Sequence, residues 1–115
     1  SGGAAGRFFV TPHAVTRYIE RIMQPPGDIE AAVVDPAMRA QALAQLIDLT
    51  SSGRYVEAWT GNPGEGLGPF GLWRGPRIGT TGQPDRRSRM RFIVGCGEGD
   101  LPAVVTVLPL TQDGH

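Results

Sequence analysis

His13, Arg17 and Arg21 recur every fourth residue in Thr11-Pro-His-Ala-Val-Thr-Arg-Tyr-Ile-Glu-Arg-Ile-Met-Gln24, a spacing that places one imidazole and two guanidiniums on the same side of a helix. A neutral imidazole takes up a proton near neutral pH and a guanidinium holds an anion, so the trio suits proton transfer beside an anionic group. At about 100° per residue, Ala14, Val15, Tyr18, Ile19, Ile22 and Met23 fall in one arc, while His13, Thr16, Arg17, Glu20, Arg21 and Gln24 fill the other. Thr11 can cap this helix, with Pro12 at its first position. His13 then sits in the first turn, where the helix dipole favours an uncharged ring. A histidine that only hydrogen-bonds near the cap fits the same spacing.

A second group of cations lies between residues 74 and 91, where Arg74, Arg77, Arg86, Arg87, Arg89 and Arg91 face a single acid, Asp85. The loop Gly79-Thr-Thr-Gly-Gln-Pro-Asp-Arg-Arg-Ser-Arg89 can grip a phosphate backbone through bidentate hydrogen bonds, or it can be a solvated hairpin tip. Tyr55, Trp59, Phe70 and Trp73 lie on or near expected strands and are candidates for base stacking or for the core. Gly66-Leu-Gly-Pro-Phe-Gly71 spells G-x-G-x-x-G, but it precedes a strand rather than opening a helix, and Pro69 removes an amide that a phosphate would use. Cys96, between two glycines, has no base partner in the sequence, and His115 is terminal.

The whole chain narrows these options. Its 115 residues, 40% of them hydrophobic, suit one domain with one core. One cysteine excludes an internal disulfide and any multi-cysteine metal centre, and neither metal nor cofactor is expected. All eleven basic residues are arginines, so a Walker loop, a kinase lysine and a Schiff base are excluded. The net charge of zero hides segregation: residues 74–91 carry +5, residues 7–21 carry +2, and the remainder −7. No apolar run approaches the roughly 20 residues of a membrane span, and a soluble protein is expected, cytoplasmic or delivered into a target-cell cytoplasm.

These residues need positioning elements. Ser1 to Gly6 reads as a linker or remnant, residues 7–110 as the domain and residues 111–115 as a polar tail. Arg7 to Val10 is a short apolar entry with the potential of an edge strand, and the first helix runs to Pro25-Pro26-Gly27. Asp28 to Val34 suits a helical turn. Asp35-Pro36 starts a second helix, striped by Met38, Ala42, Leu43, Leu46, Ile47 and Leu49 and stopped at Ser51-Ser52-Gly53. Four strands follow at residues 54–60, 70–75, 89–95 and 103–109, in a meander. The expected fold is α+β, two N-terminal helices packed on a four-stranded antiparallel sheet. Simple alternation offers Arg89, Arg91 and Thr106 to one face.

The His13-Ala14, Arg17 and Glu20-Arg21 pattern resembles the HA-x-x-R-x-x-E-R helix of small bacterial and phage-borne domains in the barnase/EndoU/colicin/RelE-like superfamily of ribonuclease toxins. The resemblance spans residues 7–110 and implies one or two helices before a four-stranded sheet. It implies a helix histidine or arginine, a strand arginine and a last-strand Ser or Thr at the site, here His13, Arg17, Arg91 and Thr106. The chain departs from the pattern in having no lysine and no second well-placed histidine, which leaves the general acid unassigned. The implied activity is metal-independent RNA cleavage: His13 takes the 2′-hydroxyl proton, Arg17 and Arg91 hold the phosphorane and Thr106 positions an oxygen, leaving a 2′,3′-cyclic phosphate. Arg21, Arg74, Arg86, Arg87 and Arg89 would hold flanking phosphates, and an acidic antitoxin or immunity protein would cover that face. The competing expectation is a phage or mobile-element module that uses the arginine face to bind an acidic protein or nucleic acid without chemistry.

Overall fold

A computed structural model of the chain describes residues 8–61, 64, 67–76, 89–96 and 102–109. The expected linker and tail, together with Arg77, Arg86, Arg87 and His115, lie outside the described residues. The elements are β1 (Phe9–Val10), α1 (Pro12–Tyr18) continued by a π-helical segment (Ile19–Met23), α2 (Ile29–Val34), α3 (Pro36–Ser51), β2 (Arg54–Trp59), β3 (Leu67–Arg74), β4 (Arg91–Cys96) and β5 (Pro102–Val107). The fold is α+β as the sequence suggests. Its details differ: among the described residues there are three helices, of which α2 packs on α3 and the π-helical segment, and a five-stranded mixed sheet of order β1-β5-β4-β3-β2.

The extra strand is β1, which pairs parallel to β5 through Phe9 with Ala103 and Val10 with Val104, while the other four strands are antiparallel neighbours. Two residues are too few for alternation to reveal, and the pairing partner lies over ninety residues away. Thr11 then ends the strand and starts the helix. Its backbone N–H and its hydroxyl both donate to the Val104 carbonyl, at 3.2 and 2.8 Å, while the same hydroxyl accepts from the Ala14 N–H at 3.2 Å.

The buried residues of the first helix explain why it widens. Apolar pairs 14/15, 18/19 and 22/23 repeat every four residues, and on an α-helix that repeat drifts by about 40° per step. From Ile19 the backbone opens into π geometry, Gln24 donates to the Ile19 carbonyl at 2.9 Å, and the left-handed Gln24 (φ 45°) closes it. Ala14, Val15, Tyr18, Ile19 and Ile22 thus all stay buried. The expectation of one α-helix up to Pro25 is corrected by this π segment.

Asp28 caps α2 through Glu30 N–H, and Asp35 caps α3 through Met38 N–H with Pro36 at the first position. Arg39 ties the helical layer together, donating to the Val33 and Pro12 carbonyls and to Thr16 Oγ1 at 2.7–2.9 Å. The layer buries Ala42 and Leu46 with the α1 residues against Val10, Met90, Phe92, Val94, Val104 and Val107. Tyr18 belongs to this core; its hydroxyl donates to Gln45 Oε1 at 2.7 Å, and burial pushes its pKa from 10.0 up to about 12. Between those values the unfolded chain releases the proton and the folded chain keeps it. The Tyr18 contribution to stability is therefore full below pH 10 and is lost as pH rises towards 12. Denaturant midpoints measured across that range should decline in the parent, and Tyr18→Phe should flatten the decline.

A second apolar cluster, Leu72, Ile93, Ala103 and Val105 with Trp59, Phe70 and Leu108, occupies the opposite face of the sheet, where no described helix packs. The β4–β5 register slips between Ile93 and Val94, setting Ile93 opposite Thr106 but Val94 opposite Val104. Val105 and Thr106 consequently share the Ile93 face, and both Val104 and Val107 reach the helices. This bulge corrects the simple alternation expected for the last strand. Gly68 to Gly71 are part of β3, an extended strand rather than a phosphate loop.

Candidate nucleic-acid interface

Thr11 and Pro12 place His13 exposed in the first turn of α1, as its sequence position implies. The other polar groups of that arc serve the fold. Arg17 Nη1 pairs with Glu20 Oε1 at 2.9 Å, Arg21 Nη1 donates to the Val107 carbonyl at 2.8 Å, and Thr16 accepts from Arg39. Arg21 thus anchors the π segment to the end of β5.

Arg91 and Thr106 do share a face, but it is the face turned away from α1. Arg91 alternates with Phe92, which lies in the helix-side core, and Thr106 stands opposite Ile93 in the other cluster. Thr106 is only 4% exposed. The sheet therefore separates His13 and Arg17 from Arg91 and Thr106, and the four residues do not border a common cleft. The bulge in β5 and the side taken by the helices decide this, and both depend on non-local pairing. Arg89 precedes β4 and donates from Nη1 to the Gly75 carbonyl at 3.0 Å.

Strand pairing assembles a different group. Arg54 of β2 stands opposite Arg74 of β3, which stands opposite Arg91 of β4, so three guanidinium side chains form one row across three strands. Directly opposed residues share a face with Cβ atoms about 4.5–5.5 Å apart, and like charges at that spacing repel. Among the described residues none of the three makes an ion pair. Arg54 and Arg74 are exposed; Arg91 is half-buried, and its Nε is buried without a hydrogen-bond partner among the described residues. Glu57, opposite Leu72, occupies the adjacent row of this face. Trp59 and Phe70, also directly opposed, lie further along it, half-buried.

Sequence reasoning singled out Arg74 and Arg91 but not Arg54. The signal was the distance of Arg54 and Arg74 from the hairpin between them, which becomes informative only once the register is known. Charge is sorted at the level of the fold as well: Asp28, Glu30 and Asp35 are exposed at the two ends of α2, in the helical layer away from the arginine row. Among the described residues no group of three or more His, Cys, Asp or Glu side chains could hold a metal ion, and no helix is long and apolar enough to cross a membrane. No known protein family, curated protein or solved structure matches the chain.

Proposed function

We propose that this domain is a non-catalytic interaction module that binds single-stranded RNA at the arginine-bearing end of its sheet, where Arg54 and Arg74 are exposed. The observation that carries the reading is the Arg54–Arg74–Arg91 row, three cations in cross-strand register with no carboxylate partner among the described residues. Such a row costs folding energy through repulsion, and a line of phosphates offsets that cost. The Trp59–Phe70 pair on the same face adds π surface for unstacked bases. A sheet face bearing arginines and aromatics suits a splayed single strand better than a duplex groove, which takes a helix or a ribbon.

The ribonuclease reading keeps one supporting observation, the exposed His13 in the first turn of α1. It loses Arg91 and Thr106 as partners of that ring. Labelled single-stranded RNA titrated by fluorescence anisotropy, with EDTA present, tests both readings. Binding should weaken with salt at a log–log slope of about −2, three phosphates at roughly 0.7 each, with the RNA left intact. Absence of binding at low salt would overturn the proposal, and preference for an acidic protein would redirect it. Cleavage by the parent but not by His13→Ala would instead establish the nuclease.

A further inference from the structure

The arginine row ends at a cleft of about 740 Å³ lined by Ser52, Gly53, Arg54, Tyr55, Trp73 and Arg74. That volume falls in the range of small-ligand sites. We infer that this cleft takes one unstacked base of the bound RNA, held against Tyr55, an inference that rests on the RNA-binding reading above.

Tyr55 is the aromatic ring that the fold leaves most open, at 57% exposure. It belongs to β2, the strand at the free end of the sheet order. It is also held in place. One edge of the ring lies over Gly71, where a Cβ would stand 3.1 Å from Tyr55 Cε1, so only a glycine leaves room for it there without a shift. Trp73 meets Tyr55 edge-on, with centroids 5.8 Å apart and planes at 75°. Trp73 is fixed in turn by Phe8 at 5.0 Å and by Phe92 at 6.4 Å. A ladder of rings therefore runs from the core to the surface and ends in an exposed ring of fixed orientation, which loses little entropy when a base stacks on it.

The chemical class follows from the neighbours. Successive residues of a strand point to opposite faces, so Arg54 and Tyr55 flank, from its two sides, the edge of β2 that pairs with no other described strand. Phosphates held by Arg54 and Arg74 leave the adjoining base free to fold over that edge onto Tyr55. The Ser52 hydroxyl already donates to the Leu49 carbonyl, leaving no side-chain donor among the described lining residues beyond the two guanidiniums and the aromatic groups. Recognition is accordingly by stacking and charge, with little preference among bases.

The test compares two labelled strands of equal length, a mixed-sequence RNA and a fully abasic strand with the same phosphates, against the parent, Tyr55→Ala and Tyr55→Phe. Tyr55→Ala should bind the base-bearing RNA about tenfold more weakly and the abasic strand as the parent does, while Tyr55→Phe should match the parent on both. Equal binding of the two strands by the parent, or an equal loss on both in Tyr55→Ala, would overturn the stacking site and leave the RNA-binding reading standing. Failure of the parent to bind either strand would overturn both. A thermal melt of Tyr55→Ala matching the parent would confirm that the fold is intact.

Discussion

Replacing Arg54, Arg74 and Arg91 together by glutamine should remove RNA binding at moderate salt while leaving the domain folded and at least as heat-stable as the parent. The two effects run in opposite directions because the row is a liability for folding and an asset for binding. Directly opposed like charges destabilise a sheet, and no described carboxylate offsets them here, so neutral glutamines relieve strain in the free protein. Each lost phosphate contact lowers the salt slope by about 0.7, so the triple variant should bind with a slope shallower by about 2. Glu57→Gln, one row away on the same face, should shift affinity the other way by removing a charge that repels phosphate. Anisotropy titrations at several salt concentrations, paired with thermal melts, read both effects. A triple variant that binds as tightly as the parent would remove the row from the function.

The second large effect is on stability, at the junction of α3 and β2. Gly53 is buried, and a Cβ there would stand 2.6 Å from Cζ of Phe92 and 3.1 Å from the Thr50 carbonyl. The Phe92 ring has no room to give way, being fully buried between Phe8 at 5.8 Å and Trp73 at 6.4 Å. Gly53→Ala should cost about 1–3 kcal/mol, the usual range for overpacking. Phe92→Ala should cost about 3–5 kcal/mol, a large part of the stability of a domain this size. The two changes should not add, because removing the ring removes the clash. Denaturant unfolding of both singles and the double checks this. An unperturbed Gly53→Ala would mean that the aromatic ladder is looser than its ring distances imply, and with it the orientation of Tyr55.

Much of the local structure was legible in the residues themselves. Thr11, Asp28 and Asp35 stand where capping chemistry places them, each accepting a backbone N–H from the first turn that follows. The start and end of α3, the order of the four long strands and the core placement of Tyr18 agree with the sequence pattern. These features depend on contacts a few residues apart, which composition and spacing encode directly. The π segment had a local trace too: an apolar repeat of four fits neither a strand nor a regular α-helix.

The candidate site was less legible because it depends on which side of the sheet each residue takes. Simple alternation offers Arg91 and Thr106 to one face, but a strand pattern apolar on both faces shows neither the bulge in β5 nor which face the helices cover. Arg54 joins Arg74 and Arg91 only through a register that skips a residue between Tyr55 and Glu57. The sequence by itself determined an α+β chain with well-marked helix ends, an arginine-only complement of cations and their concentration in two stretches. The tertiary structure alone decided that β1 pairs parallel to β5, that His13 and Thr106 lie on opposite sides of the sheet, and that three arginines from three strands form one row. Each of these turns on hydrogen-bond pairing between distant segments, where a slip of one residue moves a side chain to the other face.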